Sequence, residues 1–160
     1  MKYIEIKSII FTGKQNIPWS EVEAYLRRYD GMEIENAEFG DTIKINSVFA
    51  DEYSHSKYTK KLRGGLAKTK ANLAQIVPEL VISATNRRWT ENKDEKHEEN
   101  AIRGWYRYDA YFSMQVYDSS ERCYKTNYYT ATVIVRINDV GLFLHDIINI
   151  KKEARRPTDC

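Results

Sequence analysis

From Gly104 to Tyr117 the chain alternates with a period of two. Tyr106, Tyr108, Ala110, Phe112, Met114 and Val116 fall on one side of such a strand. Trp105, Arg107, Asp109, Tyr111, Ser113 and Gln115 fall on the other. An aromatic-rich alternating run predicts a half-buried antiparallel strand with one core face and one polar face. After a turn at Asp118-Ser119-Ser120-Glu121, a second strand is expected from about Tyr124 to Asn138. Its inner face carries Ala131, Val133, Val135 and Ile137; its outer face carries Tyr128, Thr130, Thr132 and Arg136. Asn138-Asp139-Val140-Gly141 supplies the next turn, and Leu142 to Lys151 reads as a third strand.

Ahead of this meander the period changes. Residues 2 to 11 read as a strand, and Ser20-Glu21-Val22-Glu23 has the form of a capping box opening a helix that ends before Gly31. Short strands are expected near 32 to 38 and 41 to 49. A helix from about Ser56 to Ile76 is weakened at Gly64-Gly65, and a second runs from Pro78 to about Asn86, with proline at its first position. The polar run from Thr90 to Asn100 reads as a solvated loop or flap. The fold class expected is α+β, with helices on one face of an antiparallel meander and a short N-terminal strand-helix element. The expected organisation is a single domain over 1–160, in which 1–40 form a candidate subdomain, 41–153 the core and 154–160 a tail.

Composition adds limits. With 42% hydrophobic and 30% charged residues in 160, the chain can bury a core. Its net charge of +2 carries no argument for nucleic acid, which must come from the distribution of charge. No apolar run is long enough to span a bilayer, so no membrane partner is expected. The start, Met1 to Lys7, alternates and contains Glu5, which reads as a strand rather than a signal peptide. Cys123 and Cys160 show no metal spacing and read as two unrelated thiols of a cytoplasmic protein.

The window from Tyr53 to Pro78 holds Lys57, Lys60, Lys61, Arg63, Lys68 and Lys70 with no Asp or Glu. Two readings are open: a helix whose lysines grip a phosphate backbone, or a solvated basic face. Arg107 and Arg136 lie on the polar faces of neighbouring strands. They form either a clamp for a phosphoryl group or cross-strand salt bridges to Asp109 or Asp146. Trp105 and Tyr111 either stack on unpaired bases or cover the sheet. His55, His97 and His145 are the groups that titrate near neutrality. His145 reads as a core or edge residue, so His97 and His55 are the candidate acid and base. No P-loop, dinucleotide fingerprint or nucleophile elbow is present, and neither metal nor cofactor is expected.

Several stretches together carry a resemblance. They are Ser56-Lys57-Tyr58-Thr59-Lys60-Lys61-Leu62, Pro78-Glu79-Leu80-Val81-Ile82-Ser83-Ala84-Thr85-Asn86, Gly104-Trp105-Tyr106-Arg107-Tyr108, Thr132-Val133-Ile134-Val135-Arg136, and Asp146-Ile147 with Lys151-Lys152-Glu153. Over residues 40 to 153 this pattern resembles the phage- and mobile-element-associated nuclease-like domains of the Barnase–EndoU–colicin–RelE superfamily. The resemblance implies a compact α+β ribonuclease fold that cuts RNA without metal, by attack of the ribose 2′-hydroxyl on the adjacent phosphate.

On that basis the expected function is a metal-independent endoribonuclease of toxin type, with transfer RNA among its candidate substrates. Its catalytic set would be His97, His55, Arg107, Arg136, Lys57, Tyr106 and Thr132. Lys60, Lys61, Arg63, Lys68, Lys70, Trp105 and Tyr111 would bind the nucleic acid. The alternative is a non-catalytic phage or mobile-element protein that binds RNA or inhibits a host defence or nuclease complex. The partners implied are RNA together with an antitoxin or a host defence protein.

Overall fold

The computed structural model describes residues 2–13, 16–91 and 103–154. It has an α+β fold in which helices pack against a seven-stranded mixed sheet. The centre of the sheet is the expected meander of three long strands: β5 (Gly104–Asp118), β6 (Cys123–Asn138) and β7 (Gly141–Lys152). Tyr108 stands opposite Val133 and Ala110 opposite Ala131, so the apolar sides of β5 and β6 coincide. Tyr108, Phe112, Val133, Val135, Leu144 and Ile147 are all fully buried.

Short strands complete both edges. The outer edge of β5 is shared by β4 (Thr85–Thr90), antiparallel, and β1 (Ile4–Ile6), parallel. Beyond β7 lie β3 (Thr42–Lys44), parallel to it, and then β2 (Glu33–Glu35). The sheet is therefore a meander with two parallel additions. Gly104 opens β5 at φ +133°, where an added Cβ would come within 2.5 Å of the Thr90 carbonyl oxygen. Only glycine lets β5 start that close to the end of β4.

Five helices cover the core: α1 (Trp19–Leu26), α2 (Val48–His55), α3 (Lys57–Lys61), α4 (Gly64–Leu73) and α5 (Val77–Ser83). Val22 and Leu26 of α1 and Ile6 of β1 belong to the same buried cluster as the meander, so residues 1–40 share its core. Ser20 lies inside α1 and does not cap it; Pro18 holds the cap position without a side-chain bond. Glu23 instead meets His55 and Arg27. The strand expected over 41 to 49 stops at Lys44, because Phe49, Ala50 and Tyr53 bury one helical side of α2. The long basic helix is broken at Leu62 and Arg63, which are extended, and restarts at Gly64 with φ +60°. Residues 85 and 86, expected to finish a helix, begin β4.

Two further expectations change. Cys123 is disulfide-bonded and not a free thiol. Lys70, expected on a phosphate-gripping face, is completely buried on the inner side of α4. Its ammonium donates to the Asp146 carboxylate at 2.8 Å and to Thr59 Oγ1 at 2.7 Å, with the Tyr53 ring 4.4 Å away. Burial pushes the Asp146 carboxyl up and the Lys70 ammonium down, while each partner resists the other's shift. No helix among the described residues is long and apolar enough to cross a membrane. Breaking a buried pair on one side leaves an uncompensated charge. Lys70→Met is expected to cost about 3–5 kcal/mol in urea unfolding, and Lys70→Met with Asp146→Leu to recover most of it. Equal losses in the single and double variants would contradict this assignment.

Candidate functional site

The core-averted side of the meander is built by the register of β5, β6 and β7. Trp105 stands opposite Arg136, Arg107 opposite Ile134, Asp109 opposite Thr132 and Tyr111 opposite Thr130. Arg136 stands in turn opposite Phe143. Arg107 and Arg136 are thus diagonal neighbours on one face, with backbones about 7–8 Å apart, as expected from their alternation. Although it lies on the polar face, Arg136 is only 3% exposed.

The two carboxylates that could have neutralised these arginines are committed elsewhere. Asp109 pairs with Arg88 at 2.9 Å and accepts from Asn86 at 2.8 Å. Asp146 is held by Lys70. Arg88 also stands directly opposite Arg107 on β4, so two cations are neighbours there. No described carboxylate forms an ion pair with Arg107. Arg136 lies 4.9 Å from the Phe143 ring centroid, and its buried Nη1 has no hydrogen-bond partner among the described residues. Burial lowers the affinity of this guanidinium for its proton, and Glu52 at longer range opposes that shift.

His145 joins this face from a bulge in β7, where Leu144 stands opposite Val135 and Asp146 opposite Ile134. Its ring packs edge-on against Trp105 at 4.8 Å, and its Nε2 lies 3.4 Å from Glu52 of α2. At 8% exposed, His145 is the core or edge residue that its strand position suggests, and the bulge adds its contact with Trp105. Along the same face a hollow of about 290 Å³ is lined by Asp109, Tyr111, Thr130, Thr132, Asn149 and Lys151. Thr132 and Tyr111 therefore lie where they were expected, and Asn149 (φ +52°) and Lys151 join them. Tyr111 meets the Tyr3 ring edge-on at 5.8 Å.

Other expected residues are not part of this face. Tyr106 packs towards the core under Arg87, whose guanidinium is 4.5 Å from its ring and is bound by Asp41. That sandwich ties β4 to β3 and gives Tyr106 no access to the arginines. His55 Nε2 donates to the Glu23 carboxylate at 2.8 Å, joining α2 to α1. With Asp51 these two form one group of metal-type donors within 4.8 Å of one another, although Glu23 is already engaged by His55 and Arg27. His97 lies outside the described residues. Lys57, Lys60, Lys61 and Arg63 are exposed on α3 and just after it, and Lys68 is half-buried on α4. The cavities that Lys60 and Lys68 line contain neither Arg107 nor Arg136. The lysine helices and the arginine pair are therefore separate features.

No protein-family model matches the chain, and neither curated proteins nor solved structures give a significant match.

Two expectations follow for stability. A buried guanidinium without an anion is a cost, so Arg136→Met is expected to raise the unfolding free energy, by on the order of 1 kcal/mol. A loss of that size in denaturant titration would instead reveal a satisfied structural arginine. Glu23 is held below its ordinary pKa of 4.5, first by the hydrogen bond from His55 and then by Arg27. A depressed carboxylate contributes stability above its ordinary pKa, and that contribution is lost as pH falls through the lowered value. Glu23→Gln is expected to flatten stability against pH in that acidic window; an unchanged profile would contradict the pairing.

Proposed function

We propose that the chain handles RNA on the core-averted face of its sheet and cleaves it without metal, as an endoribonuclease. The observation that supports this reading is Arg136, a buried guanidinium whose Nη1 has no hydrogen-bond partner among the described residues, beside Arg107, which forms no ion pair with a described carboxylate. Guanidinium groups bind phosphate oxygens bidentately, and Arg107 and Arg136 stand one diagonal step apart on this face. Occupation by that phosphate would relieve the desolvated charge.

In the reaction, the ribose 2′-oxygen forms a bond to phosphorus while the bond from phosphorus to the 5′-oxygen breaks. The products are a 2′,3′-cyclic phosphate and a 5′-hydroxyl end. His145 serves as the base that takes the 2′-hydroxyl proton, with Glu52 orienting its ring and stabilising the imidazolium. Arg136 and Arg107 hold the non-bridging oxygens and stabilise the charge that builds on them in the pentacoordinate state. The leaving 5′-oxygen needs a proton, for which His97 is the sequence's candidate. Thr132 and Lys151 line the neighbouring hollow and suit the ribose and the next phosphate. Trp105, already against His145, presents a ring where an unstacked base could lie.

A second reading draws on a different feature. Lys57, Lys60, Lys61 and Arg63 are exposed, and none is paired with a described carboxylate. A non-catalytic protein that binds RNA or a host defence complex would use this stripe and leave RNA intact.

Incubation of the purified chain with total RNA in chelator separates the two. Cleavage should yield 5′-hydroxyl ends. It should fall by about 10²–10³-fold in Arg136→Met, Arg107→Ala and His145→Ala while each stays folded. Intact RNA under conditions where a control ribonuclease cuts, or full activity in the arginine variants, would contradict the proposal.

A further inference from the structure

A second cavity lies away from the arginine face. It measures about 540 Å³ and sits between the start of α4 and the distal half of the β5–β6 hairpin. Its floor is apolar: Leu66 from α4, Met114 and Val116 from β5, and Tyr129 from β6. The Tyr129 ring is stacked on Phe112 with centroids 5.0 Å apart and planes 9° apart, which fixes the floor in place. At the rim stand Arg63, Lys68 and Lys152, and no carboxylate is among the lining residues. Arg63 is positioned by donating Nη1 to the carbonyls of Lys60 and Leu62, at 2.6 and 2.8 Å. Neither Lys68 nor Lys152 is paired with a described carboxylate. Asn127 adds one amide to the wall.

We infer that this cavity binds a nucleoside monophosphate, its base on the apolar floor and its phosphate between Lys68, Lys152 and Arg63. Three cations around one opening repel one another unless a multivalent anion lies between them, and a phosphomonoester dianion supplies that charge. The floor requires that the anion bring a flat apolar body, which excludes inorganic phosphate as the preferred occupant. The Asn127 amide offers both a donor and an acceptor to a base edge. The volume lies within the range of about 300–1,000 Å³ typical of small-molecule sites. None of Arg107, Arg136 and His145 lines the cavity, so the site stands whether or not the sheet face cleaves RNA.

The test is isothermal titration of the full chain with adenosine monophosphate, adenosine and inorganic phosphate. The site predicts one equivalent of the nucleotide bound, with adenosine and inorganic phosphate each weaker by about tenfold or more. Lys68→Glu with Lys152→Glu should weaken the nucleotide by at least about tenfold, and Lys7→Glu, exposed and outside the cavity lining, should leave its affinity unchanged. Lys152 is exposed, so Lys152→Glu alone keeps the fold and should already weaken binding. Inorganic phosphate binding as tightly as the nucleotide would overturn the role of the apolar floor. Loss of binding in Arg136→Met with the lysine variants unaffected would move the nucleotide to the sheet face and overturn the site. Absence of any nucleotide binding at millimolar concentration would overturn it as well.

Discussion

Lys70 and Asp146 meet at 2.8 Å where neither side chain touches water, and that contact decides what surrounds it. A lone charge in such a place would be expensive, so neither residue can be spared for another task. The pair fixes α4 against β7 and is reinforced by Thr59 and by the Tyr53 and Tyr58 rings. It also removes from the sheet the carboxylate best placed by sequence to neutralise Arg136. On the other side, Arg88 removes Asp109 from Arg107 in the same way. Among the described residues neither arginine forms an ion pair, because Asp109 and Asp146 already have partners.

This allocation of charge leaves the sheet face with two arginines that no described carboxylate neutralises. Protein interiors rarely retain a guanidinium with an unsatisfied nitrogen unless something is gained by it. Arg136 is such a group, packed between Trp105 and Phe143 as its cross-strand neighbours, with His145 against the same tryptophan. A bulge in β7 brings the imidazole to this face, and the helix that follows β3 brings Glu52 to the imidazole. Parallel pairing of β3 with Leu142 and Phe143 sets where α2 begins, so the edge of the sheet positions a group in the candidate site.

The meander was legible in the sequence because β5 and β6 alternate over long stretches, and the shared face of Arg107, Arg136, Thr132 and Tyr111 came with that period. The short elements were not. Three-residue strands such as β1 and β3 carry too few positions for a period, and their place is set by pairing with β5 and β7. Helix α2 was hidden because Phe49, Ala50 and Tyr53 also fit the end of a strand. The basic window misled at Lys70, because charge was counted along the chain without its acidic partner, which lies 76 residues further on. His145 is buried, as its core or edge assignment expected, but a bulge that the alternation does not show turns its ring to Trp105.

The central claim is that Arg136 and Arg107 hold a phosphodiester, and their side-chain Nε–H resonances report on it directly. The measurement is a nuclear magnetic resonance titration with a short 2′-deoxy oligonucleotide, which supplies the phosphate and lacks the attacking hydroxyl. The account predicts saturable shifts of the Arg136 and Arg107 signals together with the His145 ring. Unmoved arginine signals, with changes confined to the amides of α3 around Lys57, Lys60 and Lys61, would contradict it.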